Sequence, residues 1–399
     1  MPELAASSVA RQLSVRAVIE AMLARGRVSR AELARITQLS KQTISEVVRA
    51  LEDSGWIAAS GQVQGTLGRS AAIYELCEDA ALVLGIDLGG TKLHVVLATL
   101  LGTVIAEAVE ATDRRGGAHV VAQIGAIAKR LLAQAGRRGA GLAAAAMGCP
   151  GVVEPATGAV DIAPNVPGFG EMNVVAALER SLGCRTLVEN DVNLAAKGEQ
   201  WQGSCRDVQT FVLVALGTGI GMGLVADGRL VRGARGAAGE IAYLPLGADP
   251  FDSRLFRYGT LETAVGSRAI LERYRGHGGR EAEDVREVFE RLGEGDKAAG
   301  AALDETARLL TQALMAVRAM LDPARIVLGG SVGVRPELIG RVRALSDSLL
   351  PAKLPIEPSA LGARGTVVGA VGSALAGLYE EVFGLSAPLP ELALPPVPA

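Results

Sequence analysis

The sequence predicts an α/β protein in which a small winged helix precedes a large domain of two lobes. Three short amphipathic patterns and a strand–loop–strand pattern fill the first eighty residues. Two later stretches, 83–109 and 212–228, each predict β-strands joined through a loop rich in glycine and threonine. Such repetition is typical of a duplicated fold. We therefore expect a winged helix-turn-helix domain over 1–80, a two-lobed domain with a cleft over 81–385, and a proline-rich tail over 386–399.

The composition is that of a folded protein with a large core. Hydrophobic residues make up 49% of the chain and charged residues 21%, which argues against disorder. The four cysteines lie far apart without a CxxC motif, and no long apolar leader is present, so we expect a cytoplasmic protein with no membrane partner. The formal net charge of −3 excludes a general polyanion binder, so any contact with nucleic acid needs a local basic patch.

The first two predicted helices carry recognisable end signals. The first runs from about Ser14 to Ala24, and Gly26 is suited to end it. Ser29 and Glu32 have the S-x-x-E spacing of a capping box, which satisfies free backbone N–H groups at a helix start. The second helix is therefore expected to begin at Ser29.

The third predicted helix begins near Ser40 and has one apolar stripe, formed by Ile44, Val47, Val48 and Leu51. Its polar face, with one arginine from the following wing, supplies the candidate DNA contacts Lys41, Gln42, Thr43, Ser45, Arg49 and Arg69. Residues 11–69 include nine basic and five acidic residues, and this local excess of four positive charges suits phosphate binding. A winged helix that binds protein instead of DNA is the alternative.

Three glycine turns follow apolar strands of the large domain, at 87–92, 217–223 and 328–331. Glycine lets the backbone approach a ligand and direct its N–H groups towards it, and the threonines add hydroxyl donors. Asp87 is a suitable group to hold hydrated Mg²⁺. The turns predict a nucleotide-phosphate site made by Asp87, Gly89, Gly90, Thr91, Lys92, Gly217, Thr218, Gly219 and Gly330.

A buried strand carries Asn190 and Asp191 to its carboxyl end, which is where ligands bind in α/β sheets. A carboxylate there can accept the proton of a sugar hydroxyl that attacks a phosphate. Asp191 can equally cap the helix that follows. Asn165 lies in a polar turn that can offer its amide to a sugar hydroxyl, and Glu240 and Glu262 supply two more carboxylates.

Seven motifs occur in the order typical of the ROK family (repressors, open reading frames and sugar kinases), namely DLGGTK, GCPGVV, APNVPGF, ENDVNLAAKGE, GTGIGMG, GAAGEI and LGGSV. The resemblance covers about residues 81–380, and the wing GTLGRSAAIYEL resembles that of the family's regulator branch. It implies an actin-like ATPase (ribonuclease H-like) fold with two lobes. By similarity, Asp191 matches the catalytic base, and the sugar-binding positions are Asn165, Asn190, Asp191, Glu240, Tyr243 and Glu262.

The chain departs from the family where a structural zinc is usually bound. Family members carry one histidine and three cysteines, whereas Tyr243, Ser253, Leu255 and Thr260 stand at those positions here. Leucine and threonine cannot replace thiolate ligands, and His94, His119 and His277 do not cluster, so we predict that zinc is absent. Without zinc, the loop from Leu246 to Tyr258 needs other support. We expect that Phe251, Leu255 and Phe256 pack it as an apolar plug or that the loop is mobile. Because the family histidine also approaches the sugar, Tyr243 reshapes the expected pocket.

Together these features predict a DNA-binding transcriptional regulator, a repressor of carbohydrate-metabolism genes that is controlled by a sugar or sugar derivative. Its partners would be double-stranded operator DNA, the effector and a second copy of the chain, as a homodimer or a dimer of dimers. One alternative is a glucokinase-like sugar kinase that also binds DNA, with Asp191 as base and ATP and Mg²⁺ as cofactors. Another is a regulator with a vestigial pocket that answers to a protein partner. The lost zinc ligands favour a protein that is not an enzyme.

Overall fold

The computed structural model describes residues 9–64, 70–137, 141–154, 157–161, 167–349 and 353–385, so the predicted tail at 386–399 lies outside the described residues. The chain divides into two compact units. The first comprises 1–150, 163–188 and 370–399, and the second comprises 151–162 and 189–369.

The N-terminal region has the three predicted helices, α1 (Val9–Arg25), α2 (Arg30–Thr37) and α3 (Lys41–Asp53), and the two predicted wing strands, β2 (Ile57–Gln64) and β3 (Ser70–Leu76). A short strand between α1 and α2, β1 (Val28–Ser29), was not predicted. The strands form one sheet in the order β1-β3-β2. Ser29 and Glu32 make both hydrogen bonds of the capping box, and the predicted apolar stripe of α3 is buried. The wing residues 65–69, and with them Arg69, lie outside the described residues.

The first helix is longer than predicted. It begins at Val9 rather than near Ser14, because the Ser14 hydroxyl donates to the carbonyl oxygen of Ala10 (2.9 Å) and so lies within the helix instead of capping it. Its end is as predicted, since Gly26 has φ +72° and its N–H donates to the carbonyl oxygen of Met22 (2.7 Å).

The next region begins with three consecutive strands, as predicted. Its elements are β4 (Leu82–Leu88), β5 (Lys92–Thr99), β6 (Val104–Ala111), α4 (Gly117–Gln134), β7 (Ala144–Cys149), β8 (Val152–Val153), β9 (Val160–Asp161), α5 (Val174–Leu182) and β10 (Arg185–Asn190). Five of these strands make one sheet in the order β10-β7-β4-β5-β6, and β8 pairs with β9.

The remaining elements build a second five-stranded sheet, in the order β13-β12-β11-β14-β15. They are α6 (Asp191–Trp201), β11 (Phe211–Leu216), β12 (Ile220–Ala226), β13 (Arg229–Leu230), α7 (Thr260–Val265), α8 (Ser267–Gly276), α9 (Val285–Gly293), α10 (Lys297–Leu321), β14 (Arg325–Gly329), α11 (Gly330–Gly333), α12 (Pro336–Leu349), β15 (Ile356–Pro358) and α13 (Gly365–Phe383). When the strands of each sheet are numbered along the chain, both sheets have the order 3-2-1-4-5. The predicted duplication is therefore present in the topology.

The second glycine loop is shorter than predicted. Residues 217–219 connect β11 to β12, and strand pairing already joins Leu216 to Ile220. Gly221 and Gly223 belong to β12, where they pack against α6: a Cβ at Gly223 would lie 2.7 Å from the carbonyl oxygen of Val192. These two glycines serve helix–sheet packing and not a ligand.

Helix α13 is the most apolar helix of the described chain. The stretch Gly362–Phe383 is long and apolar enough to cross a membrane by length and composition alone, but 61% of its apolar 18-residue window is buried inside the protein. The Tyr379 hydroxyl donates to the carbonyl oxygen of Leu100 (2.6 Å). The ring of Phe383 meets that of Trp56 edge to face, with centroids 5.0 Å apart. These contacts are those of a core helix, and they join α13 to the winged helix.

Candidate functional site

The corner between β10 and α6 presents the predicted base. Asn190 occupies the cap position of α6: its Oδ1 accepts hydrogen bonds from the N–H groups of Val192 (2.9 Å) and Asn193 (3.0 Å). Its Nδ2 donates to the carbonyl oxygen of Gly151 (3.1 Å). Asn190, rather than Asp191, occupies the cap position, and Asp191 is the first residue of α6. The Asp191 Oδ1 also accepts a hydrogen bond from the N–H of Val192 (2.9 Å), so it shares in satisfying the helix start. Asn190 holds the corner rigid, which fixes where the Asp191 carboxylate lies.

Three carboxylates lie in a poorly solvated part of the second unit. Burial raises the pKa of Asp191 and of Glu262. Burial also raises the pKa of Glu240, and the negative charges of Asp191 and Glu262 raise it further. The predicted residues Asp191, Glu240 and Glu262 are therefore brought together. Half-buried carboxylate oxygens need donors, and the hydroxyl groups of a sugar can supply them.

Glu262 also connects this cluster to the second glycine loop. Its Oε2 accepts a hydrogen bond from the N–H of Ile220 (3.1 Å), directly after the loop. A Cβ at Gly219 would overlap the same carboxylate, lying 2.8 Å from its Cδ. Glycine at 219 therefore allows the predicted phosphate-binding loop, 217–219, to contact the predicted sugar-binding carboxylate of Glu262.

An ion pair between a buried glutamate and an exposed arginine, which the sequence did not indicate, supports the corner. Glu189 is 5% exposed at its side chain, and its Oε2 lies 2.6 Å from Nε of Arg232. Its Oε1 accepts hydrogen bonds from the N–H of Asn190 (3.0 Å) and from Nδ2 of Asn193 (3.0 Å). The carbonyl oxygen of Arg232 accepts from the N–H of Ala238 (3.0 Å), close to Glu240. The Glu189–Arg232 ion pair thus joins the end of β10, next to Asp191, to the loop that carries Glu240.

We expect Arg232→Met to lower the free energy of unfolding by about 2 kcal/mol, because it leaves the Glu189 carboxylate buried with fewer donors. Adding Glu189→Gln should recover most of this loss, since the double variant buries no unpaired charge. Urea unfolding of the wild type, both single variants and the double variant measures the coupling. A double variant that simply sums two independent losses would contradict the pairing.

The raised pKa of Asp191 predicts a pH-dependent stability. A carboxyl group whose pKa is higher in the folded state than in the unfolded state stabilises the protein at low pH, and this contribution is lost as pH rises through the folded value. We therefore expect Asp191→Asn to have a higher Tm than the wild type at pH 8. The difference should shrink as the pH falls towards about 4, the ordinary carboxyl range. Thermal unfolding across this range, with the exposed Asp207→Asn as control, gives the comparison; a difference that grows at low pH would contradict it.

The predicted phosphate residues belong to turns that are closed by their own hydrogen bonds. In the first unit the N–H of Gly89 donates to the carbonyl oxygen of Lys92 (2.8 Å), while Gly90, Thr91 and Lys92 are exposed. Asp87 is half-buried near the end of β4, opposite His94 of β5. This turn leaves three residues free to face an anion.

The second unit has the other two glycine turns. The N–H of Ser267 donates to the carbonyl oxygen of Gly217 (2.9 Å), which fixes the loop that holds Thr218. Gly330 has φ +77°, and a Cβ there would lie 2.7 Å from the carbonyl carbon of Leu216. Only glycine suits that position. The close approach of the Gly330 backbone to Leu216 and the exposed position of Thr218 are suited to binding the phosphates of a nucleotide.

The segment where the family binds zinc is held together by other contacts. The Thr260 hydroxyl donates to the carbonyl oxygen of Leu244 (2.5 Å), and the Tyr243 hydroxyl donates to that of Arg257 (3.4 Å). Among the residues that the structure describes, no group of three or more His, Cys, Asp or Glu side chains could hold a metal ion. The absence of zinc remains a prediction.

The expected apolar plug is wrong. Phe251 is 87% exposed and Phe256 is 60% exposed, while Leu255 is half-buried. The segment contains a single 3₁₀ turn, Ser253–Leu255, which Asp252 caps through a hydrogen bond from the N–H of Arg254 (3.0 Å). One turn is too short to bury the rings on both of its sides.

Helix α3 presents most of its predicted contact residues to solvent. Lys41, Gln42 and Arg49 are exposed, whereas Thr43 and Ser45 are half-buried. The Thr43 hydroxyl lies 2.8 Å from that of Ser40, so part of its hydrogen-bonding capacity is used within the helix start. The longest cationic side chains are therefore the ones best able to reach a partner. The predicted sugar ligand Asn165, like Arg69, lies outside the described residues.

Comparison with protein families gives two matches that divide the chain. A model described as the ROK family matches residues 83–376, and a winged helix-turn-helix DNA-binding model matches residues 13–58. The xylose repressor of Caldicellulosiruptor bescii is 25% identical over 264 residues. The match covers 65% of each chain, so it spans slightly less than two thirds of the relative's own length.

Two solved structures share the fold. The ROK hexokinase from Thermus thermophilus is 28% identical, with a TM-score of 0.62, over 75% of this chain and 99% of the hexokinase. A ROK family transcriptional regulator, described as a homologue of the E. coli MLC protein, is 23% identical, with a TM-score of 0.74, over 94% of this chain and 98% of that one. The regulator's fold thus extends over more of the chain than the kinase's.

Proposed function

Because the chain belongs to the ROK family and carries a winged helix-turn-helix ahead of the family domain, we propose that it is a transcriptional repressor of carbohydrate-metabolism genes that answers to a sugar. The single observation that carries this proposal is the DNA-binding module at residues 13–58, which a kinase does not need. The repressor relative supports it.

In this proposal α3 enters the major groove of operator DNA. Lys41 and Arg49 contact phosphates, and Gln42, Thr43 and Ser45 approach base edges. Arg69 reaches the DNA from the wing. A homodimer places two winged helices on two half-sites, and the protein acts in the cytoplasm, where its operator lies.

The effector site in this proposal is the carboxylate cluster of the second unit. Asp191, Glu240 and Glu262 accept hydrogen bonds from the hydroxyl groups of a sugar, with Asn165 and Asn190 beside them and Tyr243 at the rim. Binding changes operator affinity through the difference in sugar affinity between the DNA-competent state and the released state.

A sugar kinase is the second candidate function, and the raised pKa of the Asp191 carboxyl group, at the end of β10 beside Glu240 and Glu262, favours it. A carboxylate with a raised pKa is suited to accept a proton from a sugar hydroxyl. ATP with Mg²⁺ would supply the phosphoryl group, held by the glycine turns at 89–92, 217–219 and 330 and by Asp87. The hexokinase likeness supports this candidate.

One experiment separates the two candidates. Thermal unfolding of the full chain is measured with a panel of sugars, each with and without ATP–Mg²⁺, and ADP production is measured for the wild type and Asp191→Asn. A repressor is stabilised by one sugar alone and produces ADP at the same background rate in both proteins. A kinase is stabilised by both ligands, and its ADP production falls in the variant. If no sugar raises the Tm, the sugar-responsive proposal is rejected.

A further inference from the structure

The exposed aromatic side chains of the described chain all lie in one segment. Aromatic residues make up only 3% of the sequence, and most of them are buried in the core. Those that are exposed are Tyr243 (41%), Phe251 (87%), Phe256 (60%) and Tyr258 (46%). Exposed aromatic rings that cluster in this way usually mark a binding surface.

Two of these rings belong to residues that the backbone places side by side. The Tyr243 hydroxyl donates to the carbonyl oxygen of Arg257 (3.4 Å), the residue before Tyr258. A Cβ at Gly259, the residue after Tyr258, would lie 3.0 Å from the backbone nitrogen of Tyr243. Tyr258 therefore lies between two residues that both contact Tyr243, so the two tyrosines are neighbours in space, and we call them the tyrosine platform. The Arg257 guanidinium lies over one face of the Tyr258 ring, 5.4 Å from its centroid, which leaves the other face for a ligand.

The platform adjoins the carboxylate cluster. The N–H of Tyr243 donates to the carbonyl oxygen of Glu240 (3.3 Å). Burial raises the pKa of the Tyr243 hydroxyl, and the charges of Glu240 and Glu262 raise it further, as expected for a phenol near both carboxylates. Gly259 leads directly into α7, which carries Glu262. All of these residues belong to the second unit.

A ligand that spans both features must have two chemically different parts. The carboxylates take the hydroxyl groups of one pyranose or furanose ring. The tyrosine rings offer an apolar face with a polar edge, which suits the flat C–H face of a second sugar ring or an aromatic ring. A protein partner would also suit exposed aromatic rings, but it would not require them to adjoin buried carboxylates.

We propose that Tyr243 and Tyr258 form a second subsite beside the carboxylate cluster, and that the effector is a glycoside or a disaccharide in place of a free monosaccharide. The inference rests on the proposed function, since it needs a sugar in the first subsite. The second ring of the effector stacks on the tyrosine platform. In this proposal, the segment that binds zinc in other family members contributes Tyr243 and Tyr258 to ligand binding.

The test is isothermal titration of the full chain with glucose, xylose and N-acetylglucosamine, each as the free sugar, the methyl β-glycoside and the phenyl β-glycoside. For the sugar that binds, the phenyl glycoside should bind about tenfold more tightly than the methyl glycoside, the size of one aromatic pair. Tyr258→Ala should remove this preference and leave the affinity for the free sugar within about twofold. Phe251→Ala, which removes the most exposed ring of the same segment (87%), is the matched control and should keep the preference.

The outcomes are distinguishable. Equal binding of phenyl and methyl glycosides, or a preference that survives in Tyr258→Ala, overturns the second subsite while the sugar site stands. Binding of none of the nine compounds rejects the proposed sugar site together with the subsite. If Tyr258→Ala instead abolishes self-association in sedimentation velocity and leaves glycoside affinities unchanged, the surface is an interface between copies of this chain and the subsite is rejected.

Discussion

Gly369→Ala is expected to destabilise the protein by about 3 kcal/mol, because the added methyl group has no room between two helices. Helix α13 crosses α6 so closely at this point that a Cβ on Gly369 would overlap the carbonyl oxygen of Leu194 and lie 2.9 Å from the backbone nitrogen of Gly198. Both obstacles are backbone atoms of a helix, which cannot move aside as a flexible side chain can. The Thr366 hydroxyl also donates to the carbonyl oxygen of Asp191 (3.1 Å), so a displaced α13 would disturb the candidate site.

The same helix offers a matched control. A Cβ on Gly377 would meet nothing within 4 Å, so Gly377→Ala should stabilise the protein by about 0.5–1 kcal/mol through the higher helix propensity of alanine. Urea unfolding of the two variants beside the wild type measures both effects. A Gly369→Ala protein as stable as the wild type would show that α6 and α13 do not pack at backbone contact.

Replacing Lys41 and Arg49 together by alanine is expected to weaken DNA binding about a hundredfold, with about tenfold from each residue. Both side chains are exposed on α3, the helix that the proposal places in the major groove. Each lost phosphate contact should also lower the slope of log affinity against log salt by about one, because fewer counterions are released. Sugar binding should be unchanged, since neither residue lies in the ROK region at 83–376.

Fluorescence anisotropy with labelled operator DNA at several salt concentrations measures affinity and slope together. Lys129→Ala removes an exposed lysine from α4 and serves as the control, with affinity and slope close to those of the wild type. If the double variant keeps the wild-type affinity and slope, the winged helix does not use this face for DNA, and a role in protein binding becomes the better interpretation.

Local signals in the sequence predicted local structure well. Ser29 and Glu32 predicted the capping box because both hydrogen bonds form within four residues. The repeated strand and glycine patterns predicted the duplicated sheets, because strands and turns are encoded by residues that are close in the sequence. The predicted start of α1 near Ser14 was wrong, since the helix begins at Val9 and the Ser14 hydroxyl bonds within it.

Contacts between distant residues could not be predicted in this way. Arg232 lies 43 residues from Glu189, and no spacing in the sequence connects them. Gly369 carried no signal of its own, because its role depends on the backbone of α6. The plug at Phe251 and Phe256 was predicted from hydrophobicity alone, and a single 3₁₀ turn cannot bury both rings. The resemblance to the family motifs assigned Asp191, Glu240 and Glu262 to one site. Their residue types and spacing alone would not have distinguished them from other acidic residues of the chain.

The proposed repressor binds DNA and releases it in response to a sugar, with both activities in one molecule. The most direct measurement starts from genomic fragments that the full-length protein itself selects in vitro, and follows its binding to a labelled fragment by anisotropy while each sugar and glycoside of the panel is added. We expect nanomolar binding without ligand, and at least a tenfold rise in Kd with one compound of the panel and little change with the others. Tight DNA binding that no sugar or glycoside alters would contradict it.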